Sequence, residues 1–151
     1  MGRIVKKPGD VFRLPLGQEG HFGYAQWIGD GTAIVFLYSD TGETTLESIL
    51  EKAVAFRILV FGDTPGRYDW KKVGRASIPA AYEVPQRYAK RDAHSGKLFV
   101  SVGGMVTPAI PEEIKGLETL AAWAHPHLVE RLDAVLSGRE SEWVKVLRVA
   151  V

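Results

Sequence analysis

The chain has 151 residues, 46% hydrophobic and 25% charged, with a formal net charge of +1 and no cysteine. A single domain of this length buries roughly 68–70% of its unfolded surface, so no disulfide or structural metal is needed for folding. The absence of cysteine excludes disulfides, thiolate metal sites and a cysteine nucleophile.

No apolar run approaches the roughly 20 residues of a membrane-spanning helix. The basic start, Met1-Gly2-Arg3-Ile4-Val5-Lys6-Lys7, has neither an apolar core nor a small-residue cleavage site behind it, so no secretory signal is expected and the expected compartment is the cytoplasm. The first forty residues then read as a three-stranded antiparallel meander. Val11 to Leu16 is the first strand, closed by Gly17-Gln18-Glu19-Gly20. Phe22 to Ile28 is the second, and Gly29-Asp30-Gly31 is a hairpin signal because glycine tolerates positive φ. Thr32 to Tyr38 is rich in β-branched and aromatic residues and forms the third. Gly9, Gly23 and Gly31 are assigned to turns, and Phe12, Tyr24 and Trp27 to the core.

Thr44-Thr45-Leu46-Glu47 has the form of a capping box and opens a short helix to about Lys52. Ala53 to Phe61 is a fourth strand, stopped by Gly62-Asp63-Thr64-Pro65-Gly66. Arg67 to Gly96 is expected to be irregular, broken by Pro79 and Pro85. Lys97 to Val102 is another strand, ended by Gly103-Gly104. From Pro111 the apolar period becomes helical through Ile114, Leu117, Leu120, Ala124, Leu128, Leu132 and Leu136. Pro126 either kinks that helix or starts a second one, and Gly138 is a C-terminal stop. Trp143 to Val151 is predicted as a last strand. With no repeat and no long linker, residues 1–151 are expected to form one domain. The fold class expected is α+β: a twisted antiparallel sheet or partly open small β-barrel, with the C-terminal helices packed on it.

The chemistry-bearing patterns are few. His125-Pro126-His127 has the spacing of a ligand pair, but no third ligand is near in sequence. Arg91-Asp92-Ala93-His94-Ser95 brings an acid, a base and a hydroxyl together, yet Asp92 and Ser95 are equally turn formers. The glycines of Gly17-x-x-Gly20-x-x-Gly23 lie in hairpin turns and lack the lysine and helix of a phosphate loop. No catalytic residue, cofactor or metal is therefore assigned, and an enzyme is not expected. Between Trp70 and Val100 seven cations (Lys71, Lys72, Arg75, Arg87, Lys90, Arg91 and Lys97) face only Glu83 and Asp92. Tyr68, Trp70, Tyr82 and Tyr88 interleave with them. Such a segment suits core filling, a protein interface or single-stranded nucleic acid.

Lys7-Pro8-Gly9-Asp10-Val11-Phe12-Arg13-Leu14-Pro15-Leu16, followed by Gly23-Tyr24-Ala25-Gln26-Trp27, resembles the opening of the immunity protein 26 family of bacterial polymorphic toxin systems. Trp70-Lys71-Lys72-Val73-Gly74 and Gly116-Leu117-Glu118 with Trp123 extend the resemblance. It implies a β-rich domain with C-terminal helices that binds a cognate toxin domain and neutralises it without catalysis. The residues assigned to that contact are Glu47, Glu51, Tyr68, Asp69, Trp70 and Arg91. The alternative function is a small β-barrel that binds nucleic acid through the basic, aromatic-rich segment 68–97. No membrane partner is expected, and monomer and homodimer both remain open.

Overall fold

The structure, a computed structural model, describes residues 5–149. The expected meander is present as β1 (Asp10–Pro15), β2 (Phe22–Gly29) and β3 (Thr32–Phe36), followed by helix α1 (Leu46–Leu50) and strand β4 (Val54–Val60). A one-turn helix, α2 (Thr64–Arg67), precedes β5 (Lys71–Arg75), and a 3₁₀ turn occupies Ala80–Tyr82. Then come β6 (Arg87–Arg91), β7 (Leu98–Val102), β8 (Met105–Pro108), α3 (Pro111–Ile114), β9 (Glu118–Thr119), β10 (Ala122–Trp123), α4 (His125–Leu136) and α5 (Glu142–Leu147).

The class is α+β, built on two sheets, neither of them closed into a barrel. The larger sheet runs β10-β4-β3-β2-β1-β5 and the smaller β8-β7-β6-β9. Each is antiparallel except for one parallel pair, β10 with β4 and β9 with β6. Because strand side chains alternate between faces, the larger sheet buries two sets of residues. Phe12, Leu14, Ala25, Trp27, Ala33 and Val35 face Leu128 and Leu132, one turn apart on α4. Val11, Tyr24, Ile34 and Phe36 face Ile49 of α1 on the other side. Gly23 is not at a turn but inside β2. An added Cβ there would stand 2.8 Å from Leu132 Cδ2, so its missing side chain is what lets α4 pack closely.

Three expectations are corrected and one strand is added. The segment 67–96 contains β5 and β6, strands of ordered sheets whose charged side chains are exposed. β8 follows the Gly103-Gly104 turn directly. The helical stripe from Pro111 breaks after four residues. Gly116 adopts φ +81°, and the chain then pairs with β6 and β4 as β9 and β10. The terminal segment is a helix rather than a strand: Ser141 Oγ accepts from the Val144 amide, a side-chain N-cap that its β-like alternation conceals. Ala150 and Val151, the end of that expected strand, lie outside the described residues. Pro126 sits in the first turn of α4, which decides between the two readings of it.

The Lys7-Pro8-Gly9-Asp10 turn fastens the rim of the larger sheet. Gly9 has φ +94°, and a Cβ there would meet the Ala76 carbonyl oxygen at 2.6 Å. Its amide donates to the Trp27 carbonyl at 2.7 Å, and its carbonyl accepts from the Ala76 amide at 3.0 Å. Buried Gln26 donates Nε2 to the Ala76 carbonyl at 3.0 Å, with longer contacts to Gly9 and Ser77. Asp10, 2% exposed, accepts from the Lys7 amide and from Lys72 Nζ, both at 2.9 Å. Burial raises the carboxyl pKa. The Lys72 hydrogen bond, the Lys7 amide and the charges of Lys72 and Arg75 outweigh it and hold the group below its ordinary value.

At the opposite side, Arg131 on α4 makes two 2.7 Å hydrogen bonds to Glu118 on β9. Its guanidinium lies 4.4 Å from the Phe56 ring centroid and 4.9 Å from that of Trp123. One side chain thus joins α4, both parallel strand pairs and β4.

Gly9→Ala should destabilise the protein by at least about 2 kcal/mol, because left-handed backbone alone costs an L-residue about 1–2 kcal/mol and the Ala76 carbonyl adds a steric overlap. Arg131→Ala should cost about 3 kcal/mol, since it leaves a largely buried carboxylate unpaired. A paired Arg131→Met, Glu118→Leu variant should recover much of that loss. Urea unfolding midpoints for the three variants, at unchanged m-value, check both expectations.

Candidate functional site

The residues assigned to partner contact fall on three separate parts of the molecule. Glu47 and Glu51 belong to α1 and its C-cap and are exposed. Tyr68, Asp69 and Trp70 form the connection from α2 to β5, and Arg91 ends β6 in the smaller sheet, exposed. Trp70 is 2% exposed and lies in the core, its ring 6.1 Å from that of Phe12. Its indole Nε1 donates to His125 Nδ1 at 3.0 Å. Tyr68 stacks on the same imidazole, centroids 4.7 Å apart and planes 17° from parallel. Asp69, between them, is exposed and held at φ +57°. The short loop is therefore fixed from beneath by α4, with Tyr68 half-buried and Asp69 outermost.

His125 accepts at Nδ1 and donates from its other nitrogen to the Pro15 carbonyl, so it is the neutral tautomer. Burial lowers its pKa below the ordinary histidine value, and the Pro15 hydrogen bond only partly offsets this. His127 packs instead on Trp143, ring centroids 3.9 Å apart. The two histidines face different neighbours, and among the described residues no three His, Asp or Glu side chains gather as a metal would require. Asp92 spends its carboxylate on a turn, accepting from the His94 amide at 3.1 Å and from Ser95 Oγ at 2.7 Å. The Ser95 hydrogen bond is the main reason its pKa lies below the ordinary value.

The basic segment is divided by the fold. Lys71, Lys72 and Arg75 are on β5 at the rim of the larger sheet, and Lys72 and Arg75 are engaged by Asp10, whereas Arg87, Lys90 and Arg91 are on β6 of the smaller sheet. Trp70 and Tyr88 are 2% and 7% exposed, so neither presents a ring face for a base to stack on.

What the sequence does not announce is a cleft between the two sheets, about 890 Å³ in volume. That is within the size range of ligand sites. The larger sheet contributes Thr32, Arg57 and Leu59, and the smaller contributes Tyr88, Ser101 and Val106. The connection from β5 to β6 supplies a wall through Ile78, Tyr82 and Gln86. The other crossing between the sheets is Leu120, between β9 and β10, whose amide donates to the Ala89 carbonyl at 2.9 Å. Arg57 Nη1 donates to the Val84 carbonyl at 2.9 Å and its guanidinium lies 5.8 Å from the Tyr82 ring centroid, so it ties that wall to β4.

Polar groups in this lining are incompletely matched. Among the described residues, Arg57 Nε, Gln86 Oε1 and Tyr88 OH are buried atoms without a hydrogen-bond partner. Burial raises the Tyr88 hydroxyl pKa, with Arg57 acting against it and Glu118 adding to it. The phenol therefore remains a donor at neutral pH. The sequence pattern, irregular over 67–96, does not reveal the strand that carries Tyr88, and so cannot place it near Arg57.

Two sheets meeting at a partly polar cleft, with pinned loops and turn-forming acids outside it, define an α+β protein. Residues 7–98 match the family model of immunity protein 26, and the chain belongs to that family. The match runs from the Lys7 turn through β6, and so contains Arg57, Gln86 and Tyr88. Membership implies a role in toxin systems as an inhibitor without catalysis, and a protein toxin as partner. No curated protein matches the chain, and no solved structure does.

Neutral His125 makes stability depend on pH with a definite sign. Its folded pKa lies below the unfolded value of about 6.5, so below that pH the unfolded chain takes up a proton that the folded one refuses. Stability should be fully present above about pH 6.5 and fall as pH drops toward the folded pKa. Unfolding midpoints at pH 7.5 and 5.5 should differ more for the wild type than for His125→Asn, which keeps an acceptor and a donor but does not titrate.

Proposed function

We propose that this protein binds the toxin domain of a bacterial polymorphic toxin system and neutralises it in the cytoplasm of the producing cell. The match of residues 7–98 to the immunity protein 26 family carries this reading. The fold supports it with ordered, exposed groups on rigid elements, which bind with less entropy lost than mobile ones. On this reading the partner meets Glu47 and Glu51 on α1, Tyr68 and Asp69 on the loop that Trp70 anchors, and Arg91 at the end of β6. Neutralisation by binding needs no reactive group: occupying or distorting the toxin's own site is sufficient.

The test begins with the genes that flank this one, from which a candidate toxin domain is taken. Expressed alone it should arrest growth; co-expressed with this protein it should not, and the two should co-purify. Charge reversal by Glu47→Lys with Glu51→Lys should slow association by about tenfold at low salt, in the range that electrostatic steering supplies. No association at micromolar concentration, together with no rescue of growth, would overturn the assignment.

A further inference from the structure

We infer that His125 is a proton-operated latch on the loop from Tyr68 to Trp70: the neutral imidazole holds the loop against α4, and the imidazolium releases it. The pattern of donors and acceptors carries this. An indole N–H can only donate, so Trp70 Nε1, 3.0 Å from His125 Nδ1, is matched only while Nδ1 has no proton. The other ring nitrogen must keep its proton for the Pro15 carbonyl. One neutral tautomer satisfies both partners. A second proton sets two N–H groups against each other at 3.0 Å and leaves each without an acceptor. The latch is a property of the free protein and stands without the immunity reading, which gives two of the residues it positions, Tyr68 and Asp69, to the partner.

The surroundings offer the imidazolium no compensation. Beside the loop, Arg67 lies 5.9 Å from the Tyr68 ring centroid and 3.9 Å from Asp63, and Asp69 is exposed. On β1, Asp10 is held by Lys72 and Arg75, and Arg13 lies over the Phe22 ring. On α4, Glu130 and Asp133 engage Arg139, Arg131 engages Glu118, and His127 packs on Trp143. None of these groups acts on His125, whose protonation answers to burial and to the Pro15 carbonyl.

The loop itself is poised for release. Asp69 is held at φ +57°, a left-handed conformation unfavourable for an L-residue. Its two neighbours both rest on the same imidazole, Tyr68 by stacking at 4.7 Å and Trp70 by its hydrogen bond. The backbone amides of Tyr68 and Trp70 donate to the Thr64 and Pro65 carbonyls, so these bonds tie the loop to α2 and not to α4. Trp70 also packs on Phe12, ring centroids 6.1 Å apart. The released loop is therefore a minor state at neutral pH, and the proton raises its population.

Hydrogen exchange of the Trp70 indole N–H, followed by NMR on the free protein at pH 7.5 and 5.5, tests the latch. A released imidazole titrates near its ordinary value of about 6.5 and takes up at pH 5.5 a proton that the latched one resists, so release should rise about five- to tenfold across that interval. The protection factor of the Trp70 indole, corrected for the intrinsic exchange rate, should fall by that amount. It should also lie below that of the Ile34 amide in the core and stay constant in low urea, because a local opening exposes little surface.

His125→Asn, which does not titrate, should remove the pH dependence of Trp70 protection. A second measurement needs no variant: the ring nitrogen resonances of His125 should show Nδ1 unprotonated at pH 7.5 and gaining its proton over the same pH interval in which Trp70 protection falls. Four results would each overturn the proposal: Trp70 protection equal at the two pH values, an equal fall in His125→Asn, Trp70 protection that matches Ile34 and declines with urea in step with it, or a protonated Nδ1 at pH 7.5.

Discussion

The structure depends on the bidentate contact between Arg131 and Glu118. β9 and β10 are only two residues long, yet one belongs to the smaller sheet and the other to the larger, with Leu120 and Ala121 between them. Two such short parallel pairings hold little by themselves, because each contributes few backbone hydrogen bonds. Arg131 makes them a junction. It holds Glu118 with two hydrogen bonds, covers Phe56 and Trp123 with its planar face, and sits on the helix whose Leu128 and Leu132 fill the main core. The guanidinium can serve all these partners at once because its donors lie in one plane and its faces remain free to pack.

The relative placement of the sheets follows from that junction, and the cleft follows from the placement. Arg57, Tyr88 and Gln86 come from β4, β6 and the connection before β6, and only a fixed angle between the sheets brings them to one wall. Asp92 spends its carboxylate on a local turn, Asp10 and Asp40 join local turns to distant side chains (Lys72 and Arg75, and Tyr24), and His125 is spent on Trp70 and Pro15, so these titratable groups serve the scaffold. Three buried polar atoms without a hydrogen-bond partner, on Arg57, Gln86 and Tyr88, belong to residues that line the cleft between the sheets.

Elements whose pattern is local were legible. β1 to β4 showed apolar, β-branched runs bounded by turn residues, and α4 showed a three-and-four apolar stripe behind Pro126. The capping box expected at Thr44-Thr45-Leu46-Glu47, by contrast, is a single cap, the Thr45 hydroxyl accepting from the Ser48 amide. β5, an edge strand, and β6, between β7 and β9, were hidden because their basic residues leave little apolar alternation to read. α5 was misread because Trp143, Val144 and Val146 alternate with charge as a strand would, while the cap that turns them into a helix depends on Ser141 and on Glu130 eleven residues earlier. Of the contact residues assigned from sequence, Glu47, Glu51, Asp69 and Arg91 are exposed, whereas Trp70 is enclosed. Its neighbours Phe12 and His125 are each more than fifty residues away, which no local pattern registers.

The sequence by itself determined the α+β class, the meander with its Lys7 turn, and the family, because strand period, turn glycine and capping chemistry act over a few residues. The tertiary structure alone decided that there are two sheets rather than one, that the basic stretch is split between them, and that a polar cleft opens where they meet. Those outcomes rest on contacts between residues far apart in the chain, such as Arg131 with Glu118 and Arg57 near Tyr88. Such pairings are selected by the total free energy of packing and carry no signature in either partner's own neighbourhood.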